Sequence, residues 1–109
     1  MRLSENDSGK TVEINASNEL ELILPGKSTT GYVWEVSSLD LNILELSETR
    51  FIASDKAIGA GGIEIIKLHP IATGKSKVKL IFHKPFEKNE LPLKTFEVTV
   101  IIKETVMNK

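Results

Sequence analysis

The chain contains no cysteine among its 109 residues. It therefore needs no disulfide bond to fold, offers no thiolate to a metal ion and has no cysteine nucleophile of its own. Long apolar runs are also missing, since none approaches the ~18 residues that span a bilayer, and no membrane partner is expected. The polar start MRLSENDSGK lacks the h-region of a signal peptide, so a cytoplasmic location is expected unless a leader has been removed.

The chain also lacks an excess of either charge, because 14 basic and 15 acidic side chains leave a formal charge of −1. So balanced a chain gives no reason to expect nucleic acid or an anionic membrane surface as a partner. The basic run KSKVK, residues 75–79, alternates with apolar residues, which is typical of the solvent-facing side of a strand.

Residues arranged for catalysis or cofactor binding are equally scarce. The two histidines, His69 and His83, stand at the ends of predicted strands with no carboxylate at metal-ligand spacing, so no metal site is expected. The run GAGG at residues 59–62 fails the dinucleotide fingerprint, because Glu64 stands where the third glycine is needed. No serine occupies a G-x-S-x-G elbow. We therefore expect no cofactor and no enzymatic activity.

Short β-forming segments, separated by turn signals, make up most of the chain. Glu19–Leu24, Ser76–His83 and Lys94–Lys103 alternate between apolar and polar residues, and Tyr32–Ser37 is rich in β-formers. Leu39–Leu46 is ambiguous between a strand and a short amphipathic helical turn. About seven short strands without a convincing helix predict an all-β fold, an antiparallel β-sandwich.

The length of the chain allows one domain with its own core and is too short for two. Residues 1–10 are polar and are expected to form a flexible N-terminal segment, which leaves residues 11–109 as a single domain. Trp34 is expected in the core, because a buried indole suits the middle of a sandwich, whereas Tyr32 is expected to brace the base of the preceding loop.

Three loops differ in composition from simple turns. Small residues let a backbone enter a narrow cleft, glycines leave N–H and C=O groups free for β-like pairing, and an aromatic side chain held by proline is a typical interface anchor. A sandwich gathers its loops at two ends, where a rigid scaffold holds them. The candidate binding residues are Ser28, Thr29, Thr30, Gly31 and Tyr32 in the first loop, Gly59, Ala60, Gly61 and Gly62 in the second, and Lys84, Pro85 and Phe86 in the third.

The order of these runs resembles the chagasin-type inhibitors of papain-like cysteine peptidases. That family carries N-P-T-T-G followed by Tyr or Phe, then G-x-G-G, then R-P followed by Trp or Phe. Here KSTTGY, GAGG and KPF follow in the same order, and the resemblance covers essentially the whole domain. Lys27-Ser28 replaces Asn-Pro and so removes a fixed φ angle, and Lys84 replaces arginine with its planar fork.

The resemblance implies an immunoglobulin-like sandwich and a single inhibitor domain. It also implies reversible, tight, competitive inhibition of papain-like (clan CA) peptidases, such as papain and cathepsin L-like enzymes, by a monomer in a 1:1 complex. Thr29, Thr30 and Gly31 would approach the catalytic cysteine of the peptidase. The loop at residues 59–62 would lie along one side of the cleft, and Pro85 and Phe86 would pack on the other.

Two other functions stay open on the sequence alone. An immunoglobulin-like binding or adhesion module could use the same loops for a non-peptidase partner, since a fold does not fix a function. A small hydrolase would need a partnered nucleophile, and none is recognisable. Phe86 distinguishes an inhibitor, which needs this side chain exposed beside the other loops, from a protein in which it folds back onto the core.

Overall fold

The computed structural model describes residues 1–26, 31–53, 61–87 and 89–104. The strands of these residues form two four-stranded sheets, with the strand orders β1-β3-β6-β5 and β2-β8-β7-β4. Their bounds are β1 Arg2–Ser4, β2 Thr11–Asn15, β3 Leu20–Gly26, β4 Val33–Ser38, β5 Leu44–Ala53, β6 Gly62–Pro70, β7 Gly74–His83 and β8 Lys94–Lys103. The predicted all-β sandwich is confirmed. Among the described residues, no helix is long and apolar enough to cross a membrane.

The core lies between the two sheets and is built from the alternating sets that the sequence predicted. The leucines of β3 lie beside the buried side chains of β6 in one sheet and face those of β7 and β8 in the other. Each large side chain removed from water contributes ~1.5–3 kcal/mol. Trp34 of β4 is only 5% exposed, which confirms its place in the core. The strongly buried members of this cluster are Leu20, Leu22, Leu24, Leu44, Ile66, Leu68, Val78, Leu80, Phe82, Phe96, Val98, Val100 and Ile102.

Two strand pairs run parallel, which the prediction of an antiparallel sandwich did not include. β1 pairs with β3 and β2 pairs with β8 in parallel, whereas the pairs within β3 to β8 are antiparallel. The chain runs along the edge of one sheet, turns through a 3-10 helix at Glu5–Asp7 and returns along the edge of the other. β3 runs in the same direction as β1, and β8 runs in the same direction as β2, so both N-terminal strands pair in parallel.

The first ten residues contain secondary structure that the sequence analysis did not predict. Leu3 of β1 is buried in the core, and its apolar side chain gives the segment a reason to dock. At the end of β1, the backbone N–H of Ser4 donates to Oδ2 of Asp7 over 2.8 Å, and Nζ of Lys10 lies 2.9 Å from Oδ1 of Asp7. The Ser4 hydrogen bond, with help from Lys10, holds the pKa of Asp7 below its ordinary value.

The ambiguous segment Leu39–Leu46 contains a turn and the start of a strand. Asp40 closes the turn, because its carbonyl accepts from the N–H of Ile43 at 3.0 Å and its Oδ1 accepts from the N–H of Asn42 at 2.9 Å. β5 begins at Leu44 and continues to Ala53, with a shift of register between Leu46 and Glu48. The strand therefore starts inside the ambiguous segment and continues beyond it.

Candidate functional site

The three predicted loops leave the sandwich at the same end. β3 ends at Gly26 beside Gly62, the first residue of β6, and Gly62 also pairs with Ala53 at the end of β5. Val33, at the start of β4, pairs with His83 at the end of β7. We call this end, defined by the strand termini Gly26, Val33, Ala53, Gly62, His83 and Lys94, the loop end.

Part of each predicted loop belongs to the described residues. Gly31, Tyr32, Gly61, Gly62, Lys84, Pro85 and Phe86 are among them. Five further candidates lie outside the described residues, namely Ser28, Thr29, Thr30, Gly59 and Ala60.

The first and third loops touch through Gly31 and Phe86. Gly31 has a φ angle of +82°, which residues with a side chain rarely adopt. A Cβ atom at this position would lie 3.2 Å from Cε1 of Phe86. The Phe86 side chain is nevertheless 69% exposed, so the alternative in which it folds back onto the core is wrong. An exposed aromatic ring therefore lies beside the backbone of the first loop.

Tyr32 forms the base of the first loop by ring stacking. Its ring lies 5.3 Å from that of Phe82, centroid to centroid, at an interplanar angle of 26°. Phe82 in turn lies 5.1 Å from the Trp34 ring. These three aromatic residues connect the loop end to the core, so the half-buried Tyr32 ring is anchored on a rigid support.

Lys84 points its ammonium group back towards the base of the first loop. Nζ of Lys84 lies 5.1 Å from the centroid of the Tyr32 ring and 3.9 Å from Oε1 of Glu87. The backbone N–H of Glu87 donates to the carbonyl of Lys84 over 3.0 Å, which closes a turn that contains Pro85 and Phe86. The lysine at the arginine position of the motif therefore supports the two loops from within.

We expect Lys84→Ala to lower the free energy of unfolding by ~0.5–1 kcal/mol, because it removes the cation–π contact with Tyr32. Lys84→Arg should retain this contact, since a guanidinium also stacks on an aromatic face. Urea denaturation measures both changes, and Lys75→Ala, at an exposed position of β7, is the control. Equal stability of Lys84→Ala and the control would contradict the contact.

A carboxylate that the sequence analysis did not select lies between the sheets at the loop end. Oε2 of Glu64 accepts a hydrogen bond from the backbone N–H of Trp34 over 3.0 Å. Nε1 of Trp34 donates to the carbonyl of Pro25 over 2.8 Å. Partial burial raises the pKa of Glu64, although the Trp34 hydrogen bond opposes the shift. The carboxylate lines a groove of about 330 Å³ together with Val33, Trp34, Thr49, Arg50 and Phe51.

The raised pKa of Glu64 predicts a pH-dependent effect of Glu64→Gln. Since the folded state holds this proton more tightly, the associated stabilisation is present below the unfolded pKa and is lost as the pH rises through the folded pKa. Glutamine keeps an acceptor for Trp34 and carries no charge, so Glu64→Gln should be more stable than the wild type at neutral pH. Urea denaturation at neutral and acid pH checks this: the difference should shrink in acid, and a difference independent of pH would contradict it.

The two histidines each lie near a single glutamate. Nε2 of His83 is 2.7 Å from Oε1 of Glu35, and Nδ1 of His69 is 3.7 Å from Oε2 of Glu19. Within the part of the chain that the structure describes, no group of three His, Cys, Asp or Glu side chains could hold a metal ion. The described loop end thus combines small and aromatic residues with the charged side chains of Glu64, Lys84 and Glu87.

Comparison with known proteins identifies the family. The family model "Chagasin family peptidase inhibitor I42" matches residues 13–100. Amoebiasin-1 of Entamoeba histolytica is 34% identical over 93 residues, which cover 82% of this chain and 87% of that protein. The crystal structure of the cysteine protease inhibitor EhICP2 from Entamoeba histolytica has a TM-score of 0.85 and 26% identity, with 94% of each chain covered.

The same fold occurs in PbICP-C, whose structure is known in complex with falcipain-2. It superposes with a TM-score of 0.61 at 15% identity and covers 97% of this chain and 98% of that one. The predicted immunoglobulin-like sandwich is therefore shared across these proteins. Together with the match over residues 13–100, the comparisons show that this chain belongs to the chagasin family of peptidase inhibitors, which are not enzymes.

Proposed function

We propose that the protein is a reversible, competitive inhibitor of papain-like cysteine peptidases and that its loop end fills their substrate cleft. The observation that carries the proposal is the exposed Phe86 ring, which lies against Gly31 at the end where all three loops leave the sandwich. An inhibitor needs this arrangement, because its anchor must be free to reach the enzyme. Membership in a family of inhibitors favours this function over the adhesion module that the sequence left open.

Each loop has a distinct role in the proposed complex. Thr29, Thr30 and Gly31, with Ser28 before them, approach the catalytic cysteine, where small side chains let the backbone enter a narrow cleft. The loop at residues 59–62 lies along one wall of the cleft and offers backbone groups for β-like pairing. Pro85 and Phe86 pack on the other wall, where a single aromatic anchor can carry much of the binding energy.

The contacts at the bases of the first and third loops support tight binding, because they reduce the conformational entropy that is lost on binding. Tyr32 is stacked on Phe82, and Lys84 is held between Tyr32 and Glu87, so both loops start from fixed bases. A loop whose base is fixed before binding loses less conformational entropy in the complex. One sandwich with one loop end fits one cleft, which supports a monomer in a 1:1 complex.

The partners we propose are papain and cathepsin L-like enzymes. Among the proteins that share this fold, EhICP2 is a cysteine protease inhibitor, and PbICP-C forms a complex with falcipain-2. The described third loop carries charges of both signs, because Lys84 lies beside the acidic Glu87. Glu87 in turn raises the pKa of Glu90 by a side-chain hydrogen bond and by its charge.

A titration tests the proposal. Purified protein is added to papain and to a cathepsin L-like enzyme while hydrolysis of a fluorogenic substrate is followed, with trypsin as a control of different mechanism. We expect competitive inhibition of the two cysteine peptidases only, and mass spectrometry should show that the inhibitor stays uncleaved. Lack of inhibition at micromolar protein, inhibition that substrate does not relieve, or cleavage of the inhibitor would contradict the proposal.

A further inference from the structure

Glu64 occupies an inward-facing position on β6. It pairs with Leu24 of β3, which is completely buried, and paired residues of neighbouring strands point to the same face of a sheet. Ile66 and Leu68 continue this inward face, and both are buried. The carboxylate therefore replaces the apolar side chain that the pattern of the core leads one to expect at this position.

The contacts of Glu64 join the two strands that bracket the first loop. On the side where β3 ends, Gly26 makes room for the carboxylate, because a Cβ atom there would lie only 2.9 Å from Cγ of Glu64. On the side where β4 begins, the backbone N–H of Trp34 donates to Oε2 of Glu64. β3 and β4 belong to different sheets, so this side chain connects the sheets at the loop end.

The Trp34 side chain reinforces the same connection. Its Nε1 donates to the carbonyl of Pro25, the residue before Gly26. Trp34 is thus attached to β3 through its indole and to β6 through its backbone. Glu64 also lies two residues after Gly62, where the second loop rejoins the sandwich. Glu64 therefore contacts the base of the first loop and stands close in sequence to the end of the second.

We propose that Glu64 is a positioning residue for inhibition: its carboxylate fixes the distance between the ends of β3 and β4 and so holds the first loop in its binding conformation. This inference rests on the proposed function. Glu64 lines a groove with Trp34 and Phe51 and lies next to Gly26. The nearby cation, Arg50, lines the same groove but has its Nε 3.8 Å from Glu48.

A leucine at this position would serve the core better than a carboxylate, because a partly buried charge loses hydration that one hydrogen bond does not fully restore. Functional sites often contain residues that lower the stability of the fold but are needed for activity. A residue that lowers stability and orders a binding loop is of this kind. Glu64→Leu should therefore separate the two properties. It should leave thermal stability equal or higher while weakening inhibition.

The test compares three variants in the titration against papain. We expect Glu64→Leu to raise the inhibition constant about tenfold, because the first loop would then have to be ordered on binding, with an unchanged or higher melting temperature. Glu64→Gln keeps an acceptor for Trp34 and should stay within about twofold of the wild type. Glu45→Leu, at an exposed position of β5, should change neither property. In the free protein, the Trp34 amide should exchange with solvent faster in Glu64→Leu than in Glu64→Gln.

Two results would overturn the inference while leaving the proposed function in place. The first is a Glu64→Leu variant that inhibits as well as the wild type. The second is weaker inhibition that parallels a fall in melting temperature, since the role of Glu64 would then be purely structural. If the wild type itself does not inhibit, the proposed function is wrong, and the role inferred for Glu64 is then wrong as well.

Discussion

Replacing Phe86 with alanine should raise the inhibition constant for papain about thirtyfold, the equivalent of ~2 kcal/mol for the loss of an interface anchor. The ring is 69% exposed in the free protein and lies over Gly31. Little apolar area is therefore buried within the chain by this side chain, and much can be buried against a partner. The same substitution should leave the free energy of unfolding nearly unchanged, as is usual for exposed positions.

Leu41→Ala is the matched control for this prediction. Leu41 is 72% exposed, an exposure close to that of Phe86, but it lies in the β4–β5 connection at the opposite end of the sandwich. We expect it to leave both inhibition and stability unchanged. Equal inhibition by Phe86→Ala and the wild type would show that the ring is no anchor.

Trp34→Ala should lower the free energy of unfolding by ~3–5 kcal/mol, as large-to-small changes of buried aromatic residues do. The indole is only 5% exposed, packs on Phe82 and donates to the carbonyl of Pro25. Its loss would open a cavity and leave that carbonyl without this partner. Because Trp34 also attaches β4 to β3 at the loop end, inhibition should weaken along with stability.

Val33→Ala provides the comparison within the same strand. Val33 precedes Trp34 and is 37% exposed, so its truncation should cost within about 0.5 kcal/mol, as expected near the surface. Urea denaturation monitored by far-UV circular dichroism measures both variants without relying on the tryptophan signal. A loss below about 1 kcal/mol for Trp34→Ala would contradict its place in the core.

The strands that alternate cleanly could be predicted from the sequence. Leu20, Leu22 and Leu24 are all buried, as their period of two indicates, and β8 follows the same rule. The direction of the β1–β3 pair could not be predicted, because β1 is only three residues long and its single apolar side chain, Leu3, forms no pattern. Pairing with β3 depends on contacts distant in sequence.

The sequence of β6 explains why the inward position of the Glu64 carboxylate could not be predicted. In the run IEIIKL, the adjacent Ile65 and Ile66 allow two assignments of the faces of β6. If Ile63 and Ile65 pointed inward, Glu64 would face solvent, which is the ordinary place for a charge. The structure takes the other register, since Ile66 and Leu68 are the more deeply buried pair. The inward charge becomes visible only once β3 is paired with β6.

The motifs predicted which loops carry the binding residues, but the contacts between these loops depend on the fold. Gly31 and Phe86 are far apart in sequence and meet because β4 pairs with β7. Lys84 stands in the contact motif, yet its ammonium group lies over the Tyr32 ring. Such side-chain directions follow from the local turn at Lys84–Glu87 and from the aromatic base, neither of which a linear motif contains.

The role of the loop end is tested most directly by mapping the surface that the peptidase covers. We would record amide spectra of the ¹⁵N-labelled protein while adding papain whose catalytic cysteine has been blocked with a small group. We expect the resonances of Gly31, Gly62 and Phe86 to shift or broaden, while those of Leu41 and Ile71 at the opposite end do not. Changes centred on Leu41 and Ile71, with the loop end unaffected, would contradict this role.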